Sequence, residues 1–285
     1  MTPEDTATLA AAKLASLTIL GGRDKGGALE TLDLTLRPGD VVCVVGPTGS
    51  GKSRLLADIE CLAQADTPSG RRILVDGAPP DARRRWATVG KLVAQLSQNM
   101  NFVVDLPVAE FVAMHADCRM VADGDRVVAD VIACANALAG ERFHADVSLT
   151  QLSGGQTRAL MIADTALLSA SPVVLIDEIE NAGIDRKRAL DLLVSQDKIT
   201  LVSTHDPILA LLGHRRIVVA NGSVADVIET SAEETESRAH LERIDAVLMA
   251  LRQHVRGGGR IEALPAAFST FASAMATDEP FPWTR

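Results

Sequence analysis

Two short, unbroken apolar runs, VVCVV (Val41–Val45) and VVLID (Val173–Asp177), and a third, TLVST (residues 200–204), stand out against the mixed composition of the chain. Runs of this length, rich in β-branched residues, are expected of strands buried on both faces, and such strands separated by helical stretches predict a parallel sheet. Upstream, residues 14–20 and 28–36 mix apolar and polar positions as antiparallel strands do, and Arg37-Pro38-Gly39-Asp40 reads as the turn that follows. Between the first two buried runs the period changes. Val128, Val131, Ile132, Ala135 and Leu138 recur at helical spacing and Gly140 is placed to end that helix, which predicts a helical lobe over about residues 99–171 inserted into the sheet domain. Past Asn221-Gly222, Leu241, Ile244, Val247, Leu248 and Leu251 form one apolar helix face, interrupted at Gly257-Gly258-Gly259. The pattern predicts an α/β domain over residues 1–222 and a C-terminal helix and tail over residues 223–285.

Composition narrows the classes. A chain of 285 residues with 47% hydrophobic and 23% charged residues is long enough and apolar enough to bury a sizeable core. No apolar run approaches the roughly 18 residues that a bilayer-spanning helix requires, and Glu4 and Asp5 stand where a secretion signal carries positive charge. The expectation is a soluble, cytoplasmic protein that reaches a membrane only through a partner. A net charge of −9 argues against nucleic acid as a partner, and Arg83-Arg84-Arg85 reads as a solvated helix end. Cys43, Cys61, Cys118 and Cys134 lie far apart without a CxxC pair, which suits a reducing compartment better than a disulfide framework or a zinc site.

The chemistry begins directly after the first apolar run. Gly46, Pro47, Thr48, Gly49, Ser50, Gly51, Lys52 and Ser53, followed by Arg54, satisfy GxxxxGK[ST] between a predicted buried strand and a predicted helix, the context this motif requires. Its glycines let backbone N–H groups turn inward around phosphate oxygens, and the helix directs its partial positive end to the same place. Lys52 is suited to the β- and γ-phosphates and the Ser53 hydroxyl to Mg²⁺. Asp177 and Glu178 end the second apolar run, at the carboxyl edge of a parallel sheet where ligands of such sheets bind. There Asp177 suits the organisation of Mg²⁺ and Glu178 the activation of an attacking water.

With LSGGQ (residues 152–156) ahead of the acidic strand and STHD, containing His205, after the next one, the order of motifs resembles that of the ATP-binding cassette (ABC) ATPases from about Leu14 to Asn221. The resemblance implies a P-loop NTPase core with a parallel sheet, N-terminal antiparallel strands and an inserted helical lobe carrying LSGGQ. It implies ATP and Mg²⁺ as ligands, and two cassettes paired head to tail. Each ATP then lies between the phosphate loop of one copy and Ser153, Gly154, Gly155 and Gln156 of the other, as a homodimer or with a related cassette. His205 would hold the γ-phosphate and the catalytic water in line, and Asp185 occupies the region of the loop that crosses the dimer seam. Gln95 and Gln98 both fit the family's glutamine loop, a Mg²⁺ contact; Gln98 has the better distance to LPVAEFV (residues 106–112) and is preferred. Two kinds of work suit such a cassette: driving separate membrane permease subunits, or remodelling a protein client in solution.

The chain also departs from the family. ENAGID (residues 180–185) is longer than the usual segment and does not begin Pro-Leu. Phe268, Phe271, Phe281 and Trp283 gather near the C-terminus, in a tail suited either to its own body or to a partner. No tyrosine occurs, and no aromatic residue precedes Trp86, so adenine has no aromatic platform in the first strands. Ile19, Leu20 and Arg23 are the residues left to meet the base, the last through its guanidinium plane. Weak discrimination between ATP and GTP is the expected outcome, checked by parallel binding titrations of the purified protein; rejection of GTP by orders of magnitude contradicts it.

Overall fold

The structure is a computed structural model that describes residues 14–86, 90–97, 101–121, 123–177 and 184–261. The chain divides into two compact units, residues 1–235 and 236–285. In the first, a six-stranded sheet has the order β5-β6-β7-β3-β8-β9. Its central strands are β3 (Val41–Val45), β6 (Val173–Asp177) and β7 (Ile199–Ser203), the three apolar runs of the sequence, almost wholly buried and parallel to one another. Parallel β5 (Val93–Leu96) and β8 (Arg215–Ala220) flank them, and β9 (Ser223–Glu229) adds an antiparallel edge.

A second sheet is three-stranded and antiparallel, with β1 (Leu17–Leu20) between β2 (Asp33–Leu36) and β4 (Arg72–Val75). Its apolar face, with Leu17, Ile19, Leu36 and Ile73, shares a core with one face of the large sheet and with Leu55, Leu56 and Ile59 of helix α1 (Lys52–Glu60). The two N-terminal strands are shorter than the sequence pattern suggests. Residues 21–32 leave the ladder as a loop pinned by the Arg23–Leu29 bridge.

On the other face lie α5 (Gly154–Leu167), α6 (Arg186–Ser195) and the single turn α7 (Pro207–Ala210). Helices α3 (Val108–Cys118) and α4 (Gly124–Leu138) join α5 in a third core, the helical lobe expected between the first two buried strands. Helix α5 therefore belongs to two cores. Ala159, Ile162 and Ala166 face the sheet, and Leu160 and Ala163 face the lobe. The basic run forms α2 (Ala82–Arg85), capped by Asp81, and Arg85 pairs with Asp66 at 2.8 Å.

The expected boundary at residues 222/223 falls inside a hairpin. Asn221 (φ 50°) and Gly222 (φ 86°) turn β8 into β9, and helix α8 (Ala232–Arg256) starts only after that strand. An Asn-Gly pair with both φ positive suits the tight turn between antiparallel strands. The glycine-rich break after α8 is present as Gly258 (φ 81°), and the four aromatic residues of the tail lie outside the described residues.

One polar cluster runs through the first core. Arg71 is fully buried, and its guanidinium meets both oxygens of Glu30 (2.9 and 3.1 Å), Asp58 Oδ2 (3.0 Å) and the carbonyl of Gly222 (2.8 Å). Ser69 Oγ donates to the same Asp58 oxygen at 2.7 Å. Arg71→Ala leaves both carboxylates buried without their cation, and breaking one side of such a cluster costs about 3–5 kcal/mol. Urea denaturation of the variant is expected to show that loss; a change below about 1 kcal/mol would contradict the assignment.

Lys198, at the start of β7, is also buried, and its Nζ donates to the carbonyls of Ser169 (2.8 Å) and Ser171 (2.9 Å). Burial pushes its ammonium from 10.5 down to about 8. Between those values the unfolded chain holds a proton that the folded chain has released, so this site's contribution to stability rises with pH. The stability of the parent minus that of Lys198→Met, followed by urea melts, is expected to increase by about 2–3 kcal/mol from pH 8 to 10.5. A difference that stays flat or falls across that window contradicts the shift.

Candidate nucleotide site

Strand β3 runs into the middle of the sheet, and residues 46–51 turn over its carboxyl end before α1 begins at Lys52. The turn needs glycine at two positions for a reason outside the loop itself. A Cβ on Gly46 (φ 148°) would lie 2.3 Å from the carbonyl oxygen of Val219, and one on Gly51 (φ 114°) would lie 2.8 Å from the Cα of Gly222. The β8–β9 hairpin thus presses on the loop from behind, and the Gly222 N–H donates to Ser50 O at 2.6 Å. Lys52 is buried, with Nζ donating to the carbonyls of Gly46 (2.7 Å) and Pro47 (3.2 Å), which hold the ammonium against the loop. The buried Ser50 Oγ has no hydrogen-bond partner among the described residues.

A cleft of about 600 Å³ opens in front of the loop. Thr48, Gly49, Gly51, Lys52, Ser53 and Arg54 line one side, and Asp177, Ser203 and His205 another. Asp177 and Ser203 end β6 and β7 directly opposite each other in the parallel register, so two strand ends deliver a carboxylate and a hydroxyl to one place. His205 is exposed and lies two residues past the end of β7, after the buried Thr204. The next residue, Asp206, caps α7 by accepting from the N–H groups of Ile208 (2.7 Å) and Leu209 (3.2 Å), and forms an ion pair with Arg186. Asp185 caps α6 by accepting from the Arg188 N–H at 3.1 Å, and its own N–H donates to Leu138 O at 2.9 Å. Glu178 and Gln98 lie outside the described residues, whereas Gln95 sits within β5.

The third side of the cleft is Arg23, Asp24 and Lys25, from the loop after β1, with Pro68 and Ser69 beside them. Of the three residues expected to meet the base, only Arg23 lines the cleft. Ile19 is fully buried in the small sheet's ladder, and Leu20 ends that strand, half-buried and paired with Asp33 and Arg72. Sequence reasoning missed Lys25, whose Nζ donates to Gly49 O at 2.7 Å, and Asp24, whose Oδ2 accepts from Asn221 Nδ2 at 2.9 Å. Their signal, a cation and an acid in a glycine-rich loop, reads as an ordinary solvated turn until the fold brings it to the phosphate loop. Arg23, Lys25, Lys52 and Arg54 against Asp24 and Asp177 leave the lining cationic, as a polyphosphate requires. The hydroxyl of Ser53 and the carboxylate of Asp177 are hard oxygen donors of the kind Mg²⁺ takes.

Ser153, Gly154 and Gln156 are elsewhere. Ser153 caps α5 through a reciprocal pair, its Oγ accepting from the Gln156 N–H (3.3 Å) while its own N–H donates to Gln156 Oε1 (2.9 Å). The Gln156 amide also donates to Glu141 O at 3.3 Å. Ser153 and Gly154 are exposed, and a Cβ on Gly154 would meet nothing within 4 Å, so the chain itself gives no steric reason for a glycine there. None of residues 153–156 lines the cleft around Lys52. The four cysteines are free, and burial pushes Cys43 up to about 12.

The model of the ABC transporter family matches residues 29–181. An uncharacterized ABC transporter ATP-binding protein of Methanocaldococcus jannaschii is 51% identical over 250 residues, which cover 87% of this chain and 95% of that protein. The macrolide export ATP-binding/permease protein MacB of Chromobacterium violaceum is 29% identical over 224 residues; these are 76% of this chain, which spans 34% of that longer protein. Among solved structures, the dimeric post-hydrolysis state of an ATP-binding cassette bound to ADP and Pi superposes with a TM-score of 0.57 at 23% identity, over 76% of this chain and 99% of that one, a likeness of fold. A phosphate loop shaped by its neighbours, a strand-end carboxylate beside it and these matches lead to one statement: the chain belongs to the ABC transporter family, as an ATP-binding cassette ATPase.

Proposed function

We propose that the protein binds Mg-ATP between two copies of itself and couples the opening and closing of that dimer to separate membrane permease subunits. The observation that carries the reading is the separation of two half-sites. Lys52, Ser53 and Asp177 share a cleft that residues 153–156 of the same chain do not line, while Ser153 and Gly154 present an exposed helix start with room beside it. A helix N-terminus at the surface suits a phosphate delivered from outside the chain. The phosphate loop of one copy and the LSGGQ segment of the other then complete one site.

Within that site Lys52 and the loop N–H groups hold the phosphates, with Arg54 beside them. Ser53 and Asp177, with Gln98, would hold Mg²⁺, which would offset the charge of the phosphate oxygens. Glu178 takes a proton from the attacking water, His205 orients the γ-phosphate, and Asp185 lies at the seam. No helix of the described residues is long and apolar enough to cross a membrane. Transport as the coupled work is supported by the relatives, an ABC transporter ATP-binding protein and a macrolide export ATP-binding/permease protein. The site of action is the cytoplasmic face of the membrane, reached through those partners.

Glu178→Gln is expected to lower ATP turnover by roughly 10²–10⁴-fold, the usual scale for a lost general base, while a dimer accumulates with ATP. Steady-state hydrolysis and light scattering with and without Mg-ATP check both. Parental turnover in the variant removes Glu178 from its role, and a monomer at saturating ATP removes the shared site.

A further inference from the structure

The loop after β1 carries the exposed Lys25, which belongs to no motif of the family and to none of the roles above. Its position is nevertheless closely determined. The backbone N–H of Lys25 donates to Asn221 O at 2.9 Å, and its Cγ abuts the β8–β9 turn, 2.9 Å from where a Cβ on Gly222 would lie. The preceding residue is fixed as well. Asp24 Oδ1 accepts from the N–H groups of Gly26 and Ala28 (2.8 Å each), and Asp24 Oδ2 from Asn221. Arg23 N–H donates to Ser69 O at 2.7 Å. From that base the lysine stem crosses to the tip of the phosphate loop, where Nζ donates to Gly49 O at 2.7 Å and lines the cleft with Lys52 and Ser53.

An ammonium has three donors, and one carbonyl takes one of them. Gly49 itself has open space on the side a Cβ would fill. We propose that Lys25 is a second phosphate-binding lysine, a ligand of the nucleotide's phosphate chain supplied by the loop after β1 at the tip of the phosphate loop. This inference rests on the reading of the cleft as a nucleotide site. A cation at the loop tip acts on the phosphates, which every nucleoside triphosphate shares, so its contribution is indifferent to the base.

The test measures dissociation constants of ATP, GTP and inorganic tripolyphosphate, each with Mg²⁺, for the full-length protein, Lys25→Met and Lys25→Arg by calorimetry. Lys25→Met is expected to weaken all three by the same factor, about tenfold for one charged hydrogen bond at an exposed site, and to flatten the salt dependence of binding; Lys25→Arg is expected to keep most of the affinity. The proposal is overturned if Lys25→Met binds tripolyphosphate as the parent does, or if it loses affinity for ATP alone, which assigns the residue to the base. Should the folded parent bind neither nucleotide, it is the nucleotide-site reading that fails. Loss in both Lys25→Met and Lys25→Arg with a lowered melting temperature marks the residue as structural and overturns the proposal too.

Discussion

A single buried guanidinium fixes the geometry behind the nucleotide cleft. Arg71 joins Glu30 from the small sheet's loop, Asp58 from α1 and the Gly222 carbonyl from the β8–β9 turn, three segments far apart in sequence. Burying such a group costs much of what its ion pairs return, so its importance is positional more than energetic. An apolar side chain of similar volume fills the space but cannot aim the Gly222 carbonyl. Each of the tied segments reaches the cleft within one further contact: α1 begins at Lys52, Gly222 touches Ser50 and Gly51, and Ser69, bonded to Asp58, lines the cleft wall. The phosphate loop is shaped by this knot as much as by its own glycines.

Helix α5 applies a different constraint to the LSGGQ segment at its start. Because its residues divide between the sheet's core and the lobe's core, it cannot slide against one without disturbing the other. The His115 Nδ1–Asp164 Oδ1 contact at 2.9 Å adds a polar tie between α3 and α5 inside the lobe. LSGGQ at the helix start is therefore carried as a rigid part of the lobe. A site assembled from two copies, as proposed above, suits that construction, since movement of one whole copy against the other changes the fit without remaking any core.

These properties were unequally legible. Strands β3, β6 and β7 could be read because strands buried on both faces need an unbroken apolar run, and GPTGSGKS could be read because its spacing encodes a backbone path. Strands β4, β5 and β9 carry polar residues and partial exposure, so their pattern is indistinct from loop. The Asn221-Gly222 pair was visible but ambiguous: a boundary and a hairpin turn share that chemistry, and only the pairing of β8 with β9 separates them. Arg71 and Lys25 were illegible for a stronger reason. Nothing local marks a buried arginine, and its meaning resides in Glu30, Asp58 and Gly222, which only the tertiary fold assembles.

The same dependence links the shape of the cleft to its charge. The β8–β9 turn forces glycine at position 51, accepts the Arg71 donor, donates to Ser50, and holds the Lys25 backbone through Asn221. One turn therefore sets both the curvature of the phosphate loop and the cation beside its tip. An aromatic platform acts on the base through stacking, worth about 1–3 kcal/mol per base. A cation at the loop tip acts instead where every nucleoside triphosphate is alike. With Ile19 buried in the ladder, the wall supplied by the loop after β1 presents Arg23, Asp24 and Lys25 to the cleft, and Lys25 is held there by the network that shapes the phosphate loop.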